Sequence, residues 1–146
     1  YKLSAGIAIV MMFLALADKT RLRLLNLMRD EEVCVCFFTE VLGESQPKIS
    51  RHLAYLRNAG LVEARRDGKW MHYRIVTPED EVAAGVLRET LAGLKSDTGM
   101  IEDFTKLFEA CCGVSVPVTI SRAPKPEVFN EPQKSYEREE LDTFLL

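Results

Sequence analysis

Residues 45–74 read SQPKISRHLAYLRNAGLVEARRDGKWMHYR, and this stretch decides the fold. Ser45 is a good helix N-cap, and Pro47 suits the first turn, where its missing N–H is no loss. Ile49, Leu53 and Leu56 follow at four- and three-residue spacing, so they share one face of a helix. Gly60 closes that helix. Residues 61–66 and 70–76 predict two strands, joined through Asp67-Gly68, a strong two-residue hairpin signal. With the apolar stripe inward, Gln46, Lys48, Ser50, Arg51 and Tyr55 are left on the other faces. Glutamine pairs with adenine and arginine with guanine at base edges in a major groove. Arg65, Arg66 and Lys69 flank the hairpin tip, within reach of phosphates or a minor groove. Any one of these charges alone reads as a solvated face. A capped polar helix, a glycine stop and a basic hairpin in succession point to nucleic acid.

Upstream, Asp18 caps a helix running to about Arg29, with Leu22, Leu25 and Met28 on one face, Leu24 and Leu27 beside it, and Arg21 and Arg23 pointing outward. Residues 34–42 resume a short helical pattern with Phe38, Val41 and Leu42 inward, ended by Gly43. The order is therefore helix, helix, basic hairpin. Residues 7–16 are almost wholly apolar, so a helix there needs cover on every side, from a second subunit or from an internal core. Residues 79–95 predict a helix with Val82, Val86, Leu87, Leu91 and Leu94 as its apolar face. A second piece over 100–110 carries Ile101, Phe104, Leu107 and Phe108. Residues 114–120 resemble a strand that Pro117 demotes. Residues 124–146 hold three prolines and six acidic against three basic residues, which predicts an extended, largely disordered tail. The division is a 1–112 winged-helix and dimerisation domain and a 113–146 acidic tail.

The chain of 146 residues carries a net charge of −3. Over residues 45–75, seven basic residues face two acidic ones, and the remainder of the chain carries −8. One basic island in an acidic chain suggests a single surface that meets phosphates. Residues 3–17 are uncharged but shorter than the ~18 apolar residues of a membrane span, and no signal-peptide cleavage site follows them. The expected location is cytoplasmic.

The four cysteines are Cys34, Cys36, Cys111 and Cys112. Such close pairs make poor disulfides and are better read as thiolate ligands or redox thiols. If Cys34 and Cys36 both lie on an α-helix, their side chains point about 200° apart. They then share one ion only by distorting the helix that leads to the groove-reading segment.

Four segments resemble the ArsR/SmtB family of bacterial metalloregulatory repressors: residues 17–22 (ADKTRL), 45–53 (SQPKISRHL), 56–62 (LRNAGLV) and 66–74 (RDGKWMHYR). Val33-Cys34-Val35-Cys36 resembles that family's metal box, with Phe37-Phe38 in place of its usual Asp-Leu, and Thr39 where some arsenic-sensing members carry a third cysteine. The resemblance covers about residues 13–76. It implies a mainly α fold with a β-hairpin, a winged helix-turn-helix dimeric through its first and last helices. It implies a repressor that releases an inverted-repeat, double-stranded operator when As(III) or Sb(III) is captured by Cys34 and Cys36. Cd(II), Pb(II) or cellular oxidants acting through the four thiols are the alternative. Cys111 and Cys112 either complete that site, from the same subunit or the partner, or form a second one, or are incidental. The family's other site, built from histidines and carboxylates on the last helix, has no counterpart, since His52 and His72 are the two histidines. A thiol oxidoreductase is the reading from a different class. No Cys-x-x-Cys, Gly-rich cofactor loop or nucleophile–base pair supports it, so no organic cofactor and no enzyme are expected.

Overall fold

The computed structural model describes residues 5–113, 117 and 120–129. Helix α1 spans Ala5–Leu16 and α2 spans Lys19–Met28. The Asp18 carboxylate accepts from the Arg21 N–H at 2.9 Å, which caps α2 as its sequence predicts. A two-residue strand β1 (Val33–Cys34) runs into α3 (Val35–Leu42). Helix α4 covers Gln46–Asn58, strands β2 and β3 cover Val62–Asp67 and Trp70–Ile75, and helices α5 (Glu81–Leu94) and α6 (Thr98–Cys112) follow. This is the expected mainly helical winged helix-turn-helix with a β-hairpin.

The core lies where α2, α3 and α4 meet. Leu24, Leu25, Met28, Phe37, Phe38, Ile49, Leu53 and Leu56 are all buried there. Each such side chain contributes about 1.5–3 kcal/mol over remaining exposed. Helix α6 closes the underside with Leu107 and Cys111. Gly43 ends α3 with φ of 64°, a left-handed conformation that suits glycine and turns the chain sharply into α4.

Several expectations change. Cys34 is not helical: Val33 and Cys34 pair with Tyr73 and His72, adding a third strand in the order β1-β3-β2. A two-residue strand is too short to show a period, so sequence pattern misses it. The hairpin turn sits one residue later than expected. Asp67 pairs with Trp70, leaving Gly68 and Lys69 as the loop. Gly68 has φ of 58° and Lys69 is not left-handed, the pattern of a II′ turn.

Arg21 and Arg23 turn inward rather than outward. Arg23 forms a two-pronged ion pair with the buried Asp103 of α6, at 2.6 and 2.9 Å. Arg21 donates to the Leu14 and Ala15 carbonyls at the end of α1, at 3.0 and 2.7 Å. On α1, Met12, Ala15 and Leu16 are buried, whereas Ile7, Val10, Phe13 and Leu14 remain 52–57% exposed. On α5, Val82 is exposed although the periodic pattern placed it inward, and on α6 so are Ile101 and Phe108.

Of the segment assigned to a tail, residues 120–129 fold back on the helical body. Ile120 and Ala123 are buried, and Glu127–Phe129 forms a 3-10 turn. The Phe129 ring meets Phe104 and Phe108 of α6 at 6.3 and 5.5 Å between centroids. Residues 114–116, from the segment read as a weak strand, and 130–146 lie outside the described residues. No helix among the described residues is long and apolar enough to cross a membrane.

Candidate nucleic-acid interface and thiol site

Helix α4 is anchored at its start and along one face. The Ser45 hydroxyl accepts from the Lys48 N–H, and Ile49, Leu53 and Leu56 are fully buried. Gln46, Ser50 and Arg51 are left exposed on the outer surface. Arg51 has no partner among the described residues, so its fork of donors is available to a base edge. Lys48 is half-buried and paired with Glu44 at 2.9 Å. Tyr55 is less available, because the Arg21 guanidinium sits 4.1 Å from its ring.

On the wing, Arg66 Nε donates to the Gly68 carbonyl at 3.2 Å, and the Lys69 ammonium lies 4.9 Å from the Trp70 ring centre. Arg65 is held by Glu32, to which it donates through Nε and Nη2 at 2.9 and 2.5 Å. Those hydrogen bonds keep the Glu32 carboxyl below the usual carboxylate range. Glu32 thereby fixes the wing to the segment before β1, a role its position in a polar break did not suggest. His72 is buried under the wing, 3.9 Å from Glu32 and from Asp67, and its Nε2 lacks a hydrogen-bond partner. His52 lies 3.4 Å from Arg21 and 3.6 Å from Asp18, tying α4 to the start of α2.

Cys34 and Cys36 come together. The Cys36 thiol donates to Cys34 Sγ at 3.2 Å. The splayed geometry expected for two cysteines on one helix does not occur. Cys34 precedes α3 in extended conformation, with φ −71° and ψ 141°, and only Cys36 is helical. The two thiols titrate as a unit. The hydrogen bond from Cys36 draws Cys34 down to about 7, despite its burial. That first charge, with burial, pushes the Cys36 thiol far up. The site therefore holds one sulfur-centred negative charge readily and resists a second.

The pair opens onto a cavity of about 220 Å³ lined by Cys34, Val35, Cys36, Thr39, Gln46, Lys69, Trp70 and Met71. Its walls thus include the first residue of α4 and the turn of the wing. Three separate segments build it, which is why no local signal in the sequence marks Trp70 or Met71 as site residues. Cys111 is fully buried in α6, which pushes its thiol up to about 12, and Cys112 is partly buried beside it. No group of three or more Cys, His, Asp or Glu side chains able to hold a metal forms among the described residues. Within one chain, Cys111 and Cys112 do not join Cys34 and Cys36.

Residues 18–64 match the family model described as bacterial regulatory protein, arsR family. The chain is 46% identical over 81 residues to the arsenical resistance operon repressor of Escherichia coli, covering 55% of this chain and 69% of that one. It is 55% identical over 64 residues to the arsenic resistance transcriptional regulator ArsR1 of Pseudomonas putida, covering 43% of this chain and half of that one. Among solved structures, reduced HlyU from Vibrio cholerae aligns with a TM-score of 0.53 at 28% identity, covering 63% of this chain and 93% of that one. The AntR antimony-specific transcriptional repressor aligns with a TM-score of 0.50 at 33% identity, covering 64% and 83%. The winged helix, the reading-helix sequence and these relatives agree, and the chain belongs to the ArsR family of bacterial DNA-binding transcriptional regulators.

Proposed function

We propose that the chain is a cytoplasmic, homodimeric repressor that releases its operator when a trivalent arsenic or antimony species is captured by Cys34 and Cys36. Gln46, Ser50 and Arg51 read base edges, with Tyr55 at the margin of that surface. Lys48, Arg65, Arg66 and Lys69 meet phosphates, after exchanging their present partners for them. The exposed apolar side of α1 pairs the subunits, and a two-fold dimer calls for an operator with an inverted repeat.

The observation that carries this reading is the 3.2 Å sulfur pair in a cavity shared with Gln46 and Lys69. With sulfur–ion bonds of about 2.3 Å, two sulfurs at that separation subtend about 90° at a shared ion. That angle suits a pyramidal three-coordinate ion, whereas a tetrahedral divalent ion of the same size wants sulfurs about 3.8 Å apart. Trivalent arsenic is therefore favoured over tetrahedral Cd(II). A ligand in this cavity presses on both DNA-facing elements at once. That supplies the difference in affinity between bound and unbound states that a switch needs. The relatives named for arsenical resistance and antimony specificity support the same ligand class.

The test is fluorescence anisotropy on a duplex that the protein selects from a random pool, titrated with arsenite, antimonite and Cd(II). Arsenite or antimonite should release the DNA. Cys34→Ser and Cys36→Ser should bind DNA normally and ignore both. Release by Cd(II) alone would refute the assignment.

A further inference from the structure

Within one chain, the cavity offers an inorganic arsenic ion one soft donor fewer than its three valences call for. Pyramidal As(III) takes three ligands, and Cys34 and Cys36 supply two of them. Thr39 stands on the same wall, but it carries a hard oxygen, and its hydroxyl donates to the Cys36 carbonyl at 2.9 Å. The Met71 thioether is neutral and has no proton to exchange. Cys111 and Cys112 do not reach the site within the chain. What the site has instead of a third thiolate is space. A cavity of roughly 150 Å³ suffices to hold a benzene ring, and this one is about 220 Å³ with Val35, Trp70 and Met71 on its walls.

We propose that the preferred ligand is a monosubstituted trivalent organoarsenical, R–As(OH)₂. Its arsenic bonds Cys34 and Cys36, and its organic group R lies in the cavity against Trp70 and Met71. This rests on reading the cysteine pair as an arsenic site, and it names the class of arsenical. Carbon already fills the third arsenic valence, so two thiols complete the coordination. Two As–S bonds form and two As–OH bonds break. The hydroxides leave as two waters carrying the two thiol protons, and arsenic stays trivalent throughout. As(OH)₃ on the same two sulfurs keeps an exchangeable hydroxide and gains nothing from the apolar wall.

Trp70 is the single tryptophan of the chain and lines the cavity, so its fluorescence reports occupancy without DNA. The full chain is titrated with methylarsonous acid, phenylarsonous acid and arsenite, with no added thiol. The Cys34→Ser/Cys36→Ser double variant measures any background from Cys111 and Cys112. Both organoarsenicals should bind at least about tenfold more tightly than arsenite. Intact mass should show one R–As per chain with the loss of two protons. Thr39→Cys, which restores a third sulfur, should erase or reverse the preference. Arsenite binding as tightly as the organoarsenicals in the unmodified chain would overturn the proposal, as would an unchanged ratio in Thr39→Cys. Operator release is followed in parallel. Organoarsenical binding without release refutes the induction reading and leaves the ligand class standing, whereas no binding by any arsenical overturns both.

Discussion

Replacing Asp103 with alanine tests how α6 is held on the rest of the molecule. Asp103 is the one buried carboxylate among the described residues, and it accepts two hydrogen bonds from Arg23 of α2. Its side chain is 6% exposed and that of Arg23 is 25% exposed. Removing one member of a buried ion pair costs roughly 3–5 kcal/mol, because the other charge is left without a partner. Arg23 keeps a quarter of its surface in water and rehydrates in part, which sets the expectation at the low end, about 3 kcal/mol. The better helix propensity of alanine returns about 0.5 kcal/mol. For a domain of this size, with a urea slope of about 1.5 kcal/mol/M, the net loss of about 2.5 kcal/mol should lower the midpoint by about 1.7 M. Urea unfolding followed by far-ultraviolet circular dichroism measures this directly. Cys111, buried on the same docked face of α6, should label faster with a thiol reagent in the variant. The Arg23→Met/Asp103→Leu double variant should recover most of the loss, since no unpaired charge remains. A loss below about 1 kcal/mol would place the pair among ordinary surface ion pairs and refute the reasoning.

Ultraviolet thiolate absorbance should show one group per chain ionising near pH 7, and Cys34→Ser or Cys36→Ser should abolish that step. Because the folded value of Cys34 lies below its unfolded one, its contribution to stability grows from about pH 7 to the unfolded value of about 9, is constant above it, and is lost on acidification through pH 7. A urea midpoint with the same pH dependence in Cys34→Ser as in the unmodified chain would count against this. Arg51→Ala should relax sequence discrimination by about 1–3 kcal/mol at one base position per half-site. Arg66→Ala should weaken all duplexes alike and lower the salt slope by about 1 per site, both measured by anisotropy across salt. Gly43→Ala should destabilise by about 1 kcal/mol, since its φ of 64° is strained for any residue with a Cβ. An unchanged melting temperature would contradict that.

The order helix, helix, wing was legible from local signals: the caps Asp18 and Ser45, the stripe Ile49, Leu53 and Leu56, the stop at Gly43, and an Asp-Gly beside the hairpin turn. These are rules of neighbouring residues, and the sequence alone satisfies them. Helix α4 and its exposed Gln46, Ser50 and Arg51 were legible in the same way, because burying one face of a helix assigns the others. What the chain's own periodicity does not carry was settled by contacts between distant segments. Cys34 leaves the helix because β3 offers it a strand partner at His72, 38 residues further along the chain in the wing. That pairing, and not any property of Cys-x-Cys, brings the two sulfurs to 3.2 Å. Arg21 and Arg23 turn inward for a comparable reason. Their acceptors, the carbonyls ending α1 and the carboxylate of Asp103, exist only once the helices have packed. A buried polar group must find its partner wherever the fold places one, and no local pattern encodes that location.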